Sequence, residues 1–350
     1  MTTGLLAGRA LGDETDRRLG YAIVGLGGYA DIIMPRFAEC RRSRLTALVS
    51  GDPAKARRKA AEYGVPERNI YDYDNFDRIR DNPEVDIVYV ILPVGLHHEY
   101  TLRAAAAGKH VLCEKPMAMN AREAEEMVAA CRAAEVKLMI GYRSWFAPHN
   151  REAMRMTRAG ALGPLRVVTS QHGFSIGDPN QWRLDPALAG GGSMMDIGVY
   201  SLQSARYLSG EEPVEVTAVE RTDRSDPRFR AVEDTILFQL RFPSGVMADC
   251  LSSYSSGHGR SRAVGEWGWL DMEPATGYGG HRTRVHLEGR TREHEPVPTP
   301  LNQFSGQLDH LSECVLSGAE PIVPGEEGLK DMRIIDAIYQ AARERRAVTL

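Results

Sequence analysis

Apolar and polar positions divide this chain into two textures. Between residues 19 and 143, short apolar runs without alternation recur between segments of helical period. Tyr21–Val24, Leu45–Val49, Val85–Leu92, His110–Cys113 and Leu138–Gly141 read as strands, and runs of this kind suit strands buried on both faces. Ile32–Arg41 (with Pro35 near its start), Pro53–Tyr63, Glu99–Ala107 and Ala121–Ala134 read as helices. Strands alternating with helices of this length predict a parallel sheet built by right-handed crossovers.

From residue 144 the pattern changes. A helix over Pro148–Ala159 precedes a strand at Leu165–Gln171, a loop at Phe174–Ala189, and a glycine run, Gly190–Gly192, that opens a helix over Met194–Leu208. After Pro213 the chain is strand-rich: Val214–Arg221, Thr235–Phe242, Val246–Ser253 and Trp267–Met272, with a hairpin turn at Phe242–Gly245. Helices over Phe304–Leu316 and Gly328–Arg345 close the chain. This half predicts an α+β domain with a large, mostly antiparallel open sheet. The expected division is a short arm at 1–18, a nucleotide-type domain at 19–143 and an α+β domain at 144–350.

Composition narrows the partners. At 350 residues, with 43% hydrophobic and 26% charged residues, the chain can bury two cores. A net charge of −4 points to neither nucleic acid nor a membrane surface, and no apolar run is long enough to span a bilayer. Cys40, Cys113, Cys131, Cys250 and Cys314 are odd in number and contain no CxxC, which favours reduced thiols and a cytoplasmic location. Leu5–Leu11 is broken by Gly8 and Arg9 and is too short for the apolar core of an export signal.

Three constellations carry candidate chemistry. Gly25, Gly27 and Ala30 in YAIVGLGGYA fit the turn that lets backbone approach a dinucleotide pyrophosphate. At the end of the second strand, Ser50-Gly51 with Lys55 suits a ribose 2′-phosphate and favours NADP. Asp52, two places late, leaves NAD open, and Lys55, Arg57 and Arg58 also read as a solvated helix face. Glu114-Lys115-Pro116 follows a strand at a carboxyl end, where a lysine can polarise a hydroxyl; a surface ion pair reads equally well from spacing. Asp196 and Tyr200 lie four apart at a helix start and share a face. Their arrangement fits a proton-transfer group, since a nearby ammonium would lower a tyrosine pKa, and it also fits an ordinary helix N-terminus with an aromatic in the core. His97 alone reads as structural. No metal site is expected.

VGLGGYA, ALVSGDPAKA, VYVILPVGLHHEY, AGKHVLCEKPMA, KLMIGYR, QWRLDPALAGGGSMMDIGVY and MEPATGY, in this order, resemble the glucose–fructose oxidoreductase, inositol dehydrogenase and rhizopine-catabolism superfamily. The similarity runs from Tyr21 to Val348 and is closest to the glucose–fructose and aldose–aldose branches. The resemblance implies a Rossmann domain whose Gly25, Gly27, Gly28 and Tyr29 hold the pyrophosphate and whose Ser50, Gly51 and Lys55 hold a 2′-phosphate. Tyr73, Leu92, Pro93, His97, Glu114, Lys115 and Arg143 would line the remaining cofactor groove, and Trp182 and Arg183 would reach across the nicotinamide. Lys115, Asp196 and Tyr200 match the catalytic set, also touching substrate, and Tyr278 would face the sugar. The implied reaction oxidises a cyclic aldose to an aldonolactone and reduces a second sugar to an alditol on one NADP. A ketosugar reductase or diol dehydrogenase with exchanging cofactor is the nearer rival, and a non-catalytic sugar or nucleotide sensor the distant one. Relatives of this kind associate through the second sheet, so a homodimer or homotetramer is expected. The segment Ser255–Trp267 departs from the family pattern, so the sugar preference does not carry over.

Overall fold

The structure, a computed structural model, describes residues 17–350. The expected arm lies outside the described residues except for Arg17 and Arg18, whose side chains reach Asp86 and the Ser43 carbonyl. The first sheet contains β1 (Leu19–Val24), β2 (Ser43–Val49), β3 (Ile70–Tyr71), β4 (Ile87–Val90), β5 (His110–Cys113) and β6 (Leu138–Ile140). They are all parallel, in the order β3-β2-β1-β4-β5-β6. All six residues of the central β1 are buried, which is why its sequence shows no alternation.

The crossovers include α1 (Gly28–Ile33), α2 (Pro53–Tyr63), α3 (His97–Ala106) and α4 (Ala121–Ala133). The helix expected over Ile32–Arg41 starts earlier and tightens into a 3₁₀ turn at Met34–Ala38. Pro35 has no N–H to continue an α-helical ladder. Helix α2 matches its expected bounds because its signals are local: Asp52 caps it, Pro53 opens it, and Gly64 ends it in the left-handed region.

After α5 (Pro148–Arg158), β7 (Leu165–Gly173) enters a nine-stranded sheet. A short α6 (Pro186–Ala189) and α7 (Val199–Ser209) precede β8 (Glu215–Arg221), β9 (Thr235–Arg241), β10 (Met247–Ser253), β11 (His258–Gly265), β12 (Gly268–Met272), β13 (Thr283–Leu287) and β14 (Arg290–Glu293). Helices α8 (Gln303–Ser317) and α9 (Gly325–Glu344) and the edge strand β15 (Val348–Thr349) complete it. The order is β14-β13-β12-β11-β7-β10-β9-β8-β15, antiparallel except for the β7–β10 pair. Strand β11 was not expected, because HGRSRAVG carries only Ser261 and Ala263 to the buried face.

Helices α8 and α9 return to the first sheet. Tyr21 in β1 donates to the Leu308 carbonyl at 2.7 Å, and the Asp309 carboxylate accepts from the Arg41 and Arg42 amides. Arg206 on α7, almost fully buried, pairs with Asp331 at 2.6 Å and Glu327 at 2.9 Å on α9. The helix that carries Tyr200 is thereby fixed between the two sheets. Val219, Leu237 and Met247 remain exposed on the second sheet.

Candidate active site

Gly25 has φ +97°, and a side chain there would stand 2.4 Å from the Ile91 carbonyl oxygen, so only glycine fits. Gly27 and Gly28 differ: a Cβ on either would meet nothing within 4 Å. The backbone therefore faces open space where the motif expects phosphates, and the residues present fit a dinucleotide. Across from it, Ser50 is buried and its hydroxyl accepts from the Asp52 amide at 3.1 Å. The Asp52 carboxylate accepts the Lys55 amide at 2.9 Å, which holds its pKa below the usual range. Asp52 thus serves the α2 backbone, while Lys55 stands half-buried in the first turn of α2. Arg57 and Lys59 are drawn to Glu67 and Asp31. The Tyr73 ring lies against Gly51, whose Cβ would come within 3.1 Å of it, and packs edge-on to Tyr100 at 5.5 Å.

Two residues expected to line the groove bond to the segments that build it. His97 is buried, with Nδ1 2.9 Å from the Pro116 carbonyl and Nε2 2.8 Å from that of Leu92. It ties the end of β4 to the segment carrying Lys115, and both ring nitrogens face main chain. Glu114 is also buried; Tyr89 donates to Oε1 at 2.6 Å and the Lys115 amide to Oε2 at 3.2 Å. Burial pushes its pKa up against these donors. Leu92 and Pro93 form the strand end beside them, with Leu92 buried.

Lys115, Asp196 and Tyr200 converge. Lys115 Nζ donates to the Asp196 carbonyl at 2.6 Å and stands 3.3 Å from its Oδ1, and it lies 4.9 Å from the centre of the Tyr200 ring. Arg183 Nε and the Tyr254 hydroxyl donate to Asp196 Oδ2 at 2.9 and 3.1 Å. Burial alone would raise the Asp196 pKa, but Lys115, Arg183 and Tyr254 outweigh it and hold it low. Burial likewise opposes charge on Lys115, and Tyr200, Asp196 and Glu114 outweigh it, so its pKa is raised. Both groups stay ionised. Their side chains are 14% and 18% exposed, shielded yet within reach of a small molecule.

The helix expected from Met194 begins as a π-helical turn, Met194–Gly198, before α7. Such turns recur at functional sites; this one still presents Asp196 and Tyr200 to one lysine. Buried Glu233 anchors the turn, accepting from the Gly192 amide at 2.7 Å, the Met194 amide at 2.8 Å and the Tyr339 hydroxyl at 3.0 Å. A Cβ on Gly192 would lie 2.0 Å from the Glu233 carbonyl oxygen, which accounts for glycine there.

Arg143, expected in the cofactor groove, stacks between Tyr200 (5.0 Å) and Tyr278 (4.7 Å). It donates to Gln303 Oε1 at 2.6 Å and to the Thr276 carbonyl at 2.6 Å. Two cations therefore stand over one phenol ring. The Arg183 guanidinium covers Trp182 at 4.6 Å. Tyr254 and Glu233 were missed; one follows β10 and the other precedes β9, the fold brings both beside the turn that carries Asp196, and no local motif marks either.

The sequence profile described as an oxidoreductase family with an NAD-binding Rossmann fold matches residues 19–142, and that of the GFO/IDH/MocA C-terminal domain matches 150–271. The chain is 33% identical over 345 residues to the D-xylose 1-dehydrogenase [NADP(+)] of Haloarcula marismortui, covering 96% of this chain and 94% of that enzyme. The chain belongs to the GFO/IDH/MocA family of oxidoreductases. Among solved structures, an aldose–aldose oxidoreductase from Caulobacter crescentus, complexed with glycerol, superposes with a TM-score of 0.95 at 62% identity. That match covers 95% of this chain and all of the other. The trans-1,2-dihydrobenzene-1,2-diol dehydrogenase of Bos taurus is 27% identical over 335 residues, 93% of this chain and 96% of its own. The GFO/IDH/MocA chain described here is thus an oxidoreductase with a parallel-sheet nucleotide domain and a mixed, mostly antiparallel second sheet. Among the described residues, no helix is long and apolar enough to cross a membrane.

Proposed function

We propose that this chain oxidises a cyclic aldose at its anomeric carbon and reduces a second sugar with the same NADP. The observation that carries the reading is the placement of Lys115 Nζ against the main-chain carbonyl and one carboxylate oxygen of Asp196 and over the Tyr200 ring. The 62% identity to an aldose–aldose oxidoreductase supports the substrate class. Gly25, Gly27, Gly28 and Tyr29 would hold the pyrophosphate, and Ser50, Gly51 and Lys55 the 2′-phosphate. Tyr73, Arg143, Trp182 and Arg183 would border the groove.

Bound NADP supplies the hydride acceptor. Tyr200 takes the proton of the anomeric hydroxyl, and Lys115 and Arg143 stabilise the negative charge on its oxygen. Lys115 also polarises the sugar oxygen. Asp196 holds Lys115 in place and orients the sugar. The aldose loses a hydride and a proton and leaves as an aldonolactone; the second sugar gains both and leaves as an alditol, so no external redox partner is consumed. Exposed Val219, Leu237 and Met247 support association into a homodimer or homotetramer through the second sheet. Five buried free thiols support a cytoplasmic setting.

Incubating the protein with an aldose and catalytic NADP tests this. Lactone and alditol in equal amounts are expected; lactone formed only in proportion to added NADP favours the second reading, a dehydrogenase with exchanging cofactor. That reading draws on the 33% identity to an NADP-dependent xylose dehydrogenase.

A further inference from the structure

We propose that Tyr29, Tyr278 and Phe304 form a clasp that sets how fast NADP leaves the glycine turn. The inference rests on the reading of that turn as the NADP site. Tyr29 follows the two open glycines on α1, whereas Tyr278 and Phe304 come from the far end of the chain, after β12 and in the first turn of α8. Their ring centres form a closed triangle: 6.4 Å from Tyr29 to Tyr278, 6.4 Å from Tyr29 to Phe304 and 5.4 Å from Tyr278 to Phe304. Interplanar angles of 50°, 66° and 75° are the tilted and edge-on geometries that ring quadrupoles favour.

Polar contacts secure both sides of the triangle. On one side, the Arg36 guanidinium lies 5.8 Å from the Phe304 ring. Glu39 Oε2 accepts from the Ser305 hydroxyl at 3.1 Å and from the Asn302 amide. On the other, Arg143 stands 4.7 Å over Tyr278 and donates to the Thr276 and Gly277 carbonyls at 2.6 and 3.2 Å. Gln303 donates a second bond to the Gly277 carbonyl at 3.1 Å. The ring contacts of Tyr29, and the contacts of Arg36 and Glu39, join the segment after the glycine turn to residues 278–305, so the bridge starts one residue from Gly28. A ligand seated against Gly27 and Gly28 is flanked by it. Phe304 is 2% exposed and Tyr278 56%, so the clasp has one fixed jaw and one that can swing without opening the core. Arg143 touches Tyr200 as well, which couples the clasp to the proposed base.

The test uses the full chain. Bound NADP(H) is counted by mass spectrometry after dialysis, and release is followed as loss of bound NADPH fluorescence when excess NADP is added. Tyr278→Ala probes the exposed jaw without cost to the core. Phe304→Leu keeps apolar volume and removes the ring, and thermal melts check that both variants are folded. Each should speed release about tenfold, the size expected from losing two aromatic contacts. Wild-type release rates in both folded variants overturn the clasp. Wild-type protein that binds no NADP overturns the cofactor assignment and the clasp with it, so the two failures are distinguishable.

Discussion

Asp196 receives Lys115 through two oxygens, its main-chain carbonyl at 2.6 Å and its carboxylate at 3.3 Å. The other carboxylate oxygen is held by Arg183 and Tyr254. One acid therefore fixes the lysine that faces Tyr200, and it is itself fixed from two further elements. Perturbing any member of this set should alter turnover more than fold.

Lys115→Met should lower kcat by about a hundredfold to a thousandfold, the range for losing a positioned charge beside a reacting group. NADP affinity should change little, because the glycine turn and Ser50 lie elsewhere. Steady-state rates together with cofactor titration check both halves of this expectation.

Tyr254→Phe removes one donor to Asp196 while keeping the ring in place. The Asp196 pKa is depressed in the folded protein, and Tyr254 is among the causes. Losing the donor should move that pKa upward, so the acid limb of kcat/KM should shift to higher pH. An unchanged acid limb would mean that ionised Asp196 does not limit the rate.

Ser50→Asp and Lys55→Ala should each weaken NADP binding about tenfold or more without weakening NAD binding, since the first sets a carboxylate against the 2′-phosphate and the second removes a cation available only to it. Titration with both nucleotides reads this directly. Equal losses for NAD and NADP would place the 2′-phosphate elsewhere.

His172 is buried behind Tyr200, with Nδ1 3.0 Å from the Ser201 hydroxyl and ring centres 6.0 Å apart. Because Ser201 donates its proton to the Leu251 carbonyl, His172 Nδ1 carries the hydrogen of that contact. Burial first, then the Arg143 charge, lower the His172 pKa to about 3. Below an unfolded value of about 6.5 the unfolded chain takes a proton that the native state refuses. Stability should therefore fall as pH drops from about 6.5 towards 3 and be fully present above that window. His172→Asn should flatten this part of the profile in denaturant titrations run across the pH range.

Much of this was legible in the chain. Unalternating runs such as Tyr21–Val24 disclose doubly buried parallel strands, and α2 carries its own cap, start and stop in Asp52, Pro53 and Gly64. Lys115, Asp196 and Tyr200 could be singled out because each sits in a motif. What stayed hidden depends on pairing across distance. Strand β11 is polar because one face carries His258, Arg260 and Arg262, while the other offers only Ser261 and Ala263 between glycines, two buried positions that are too few to show a period. Tyr254 and Glu233 acquire meaning only when β9 and β10 bring them beside the π-helical turn. His97 could be noticed but not placed, since its two carbonyl partners lie on different segments.

On the proposed mechanism, Tyr200 exchanges the proton that accompanies hydride transfer. The most direct test of that claim is a single-turnover experiment in which NADP-loaded protein is mixed with an aldose and the absorbance of reduced nicotinamide is followed, in wild type and in Tyr200→Phe. The expected result is full NADP loading in both proteins, with reduction slowed about a hundredfold or more in the variant. Reduction at a near-wild-type rate in loaded Tyr200→Phe would contradict the claim.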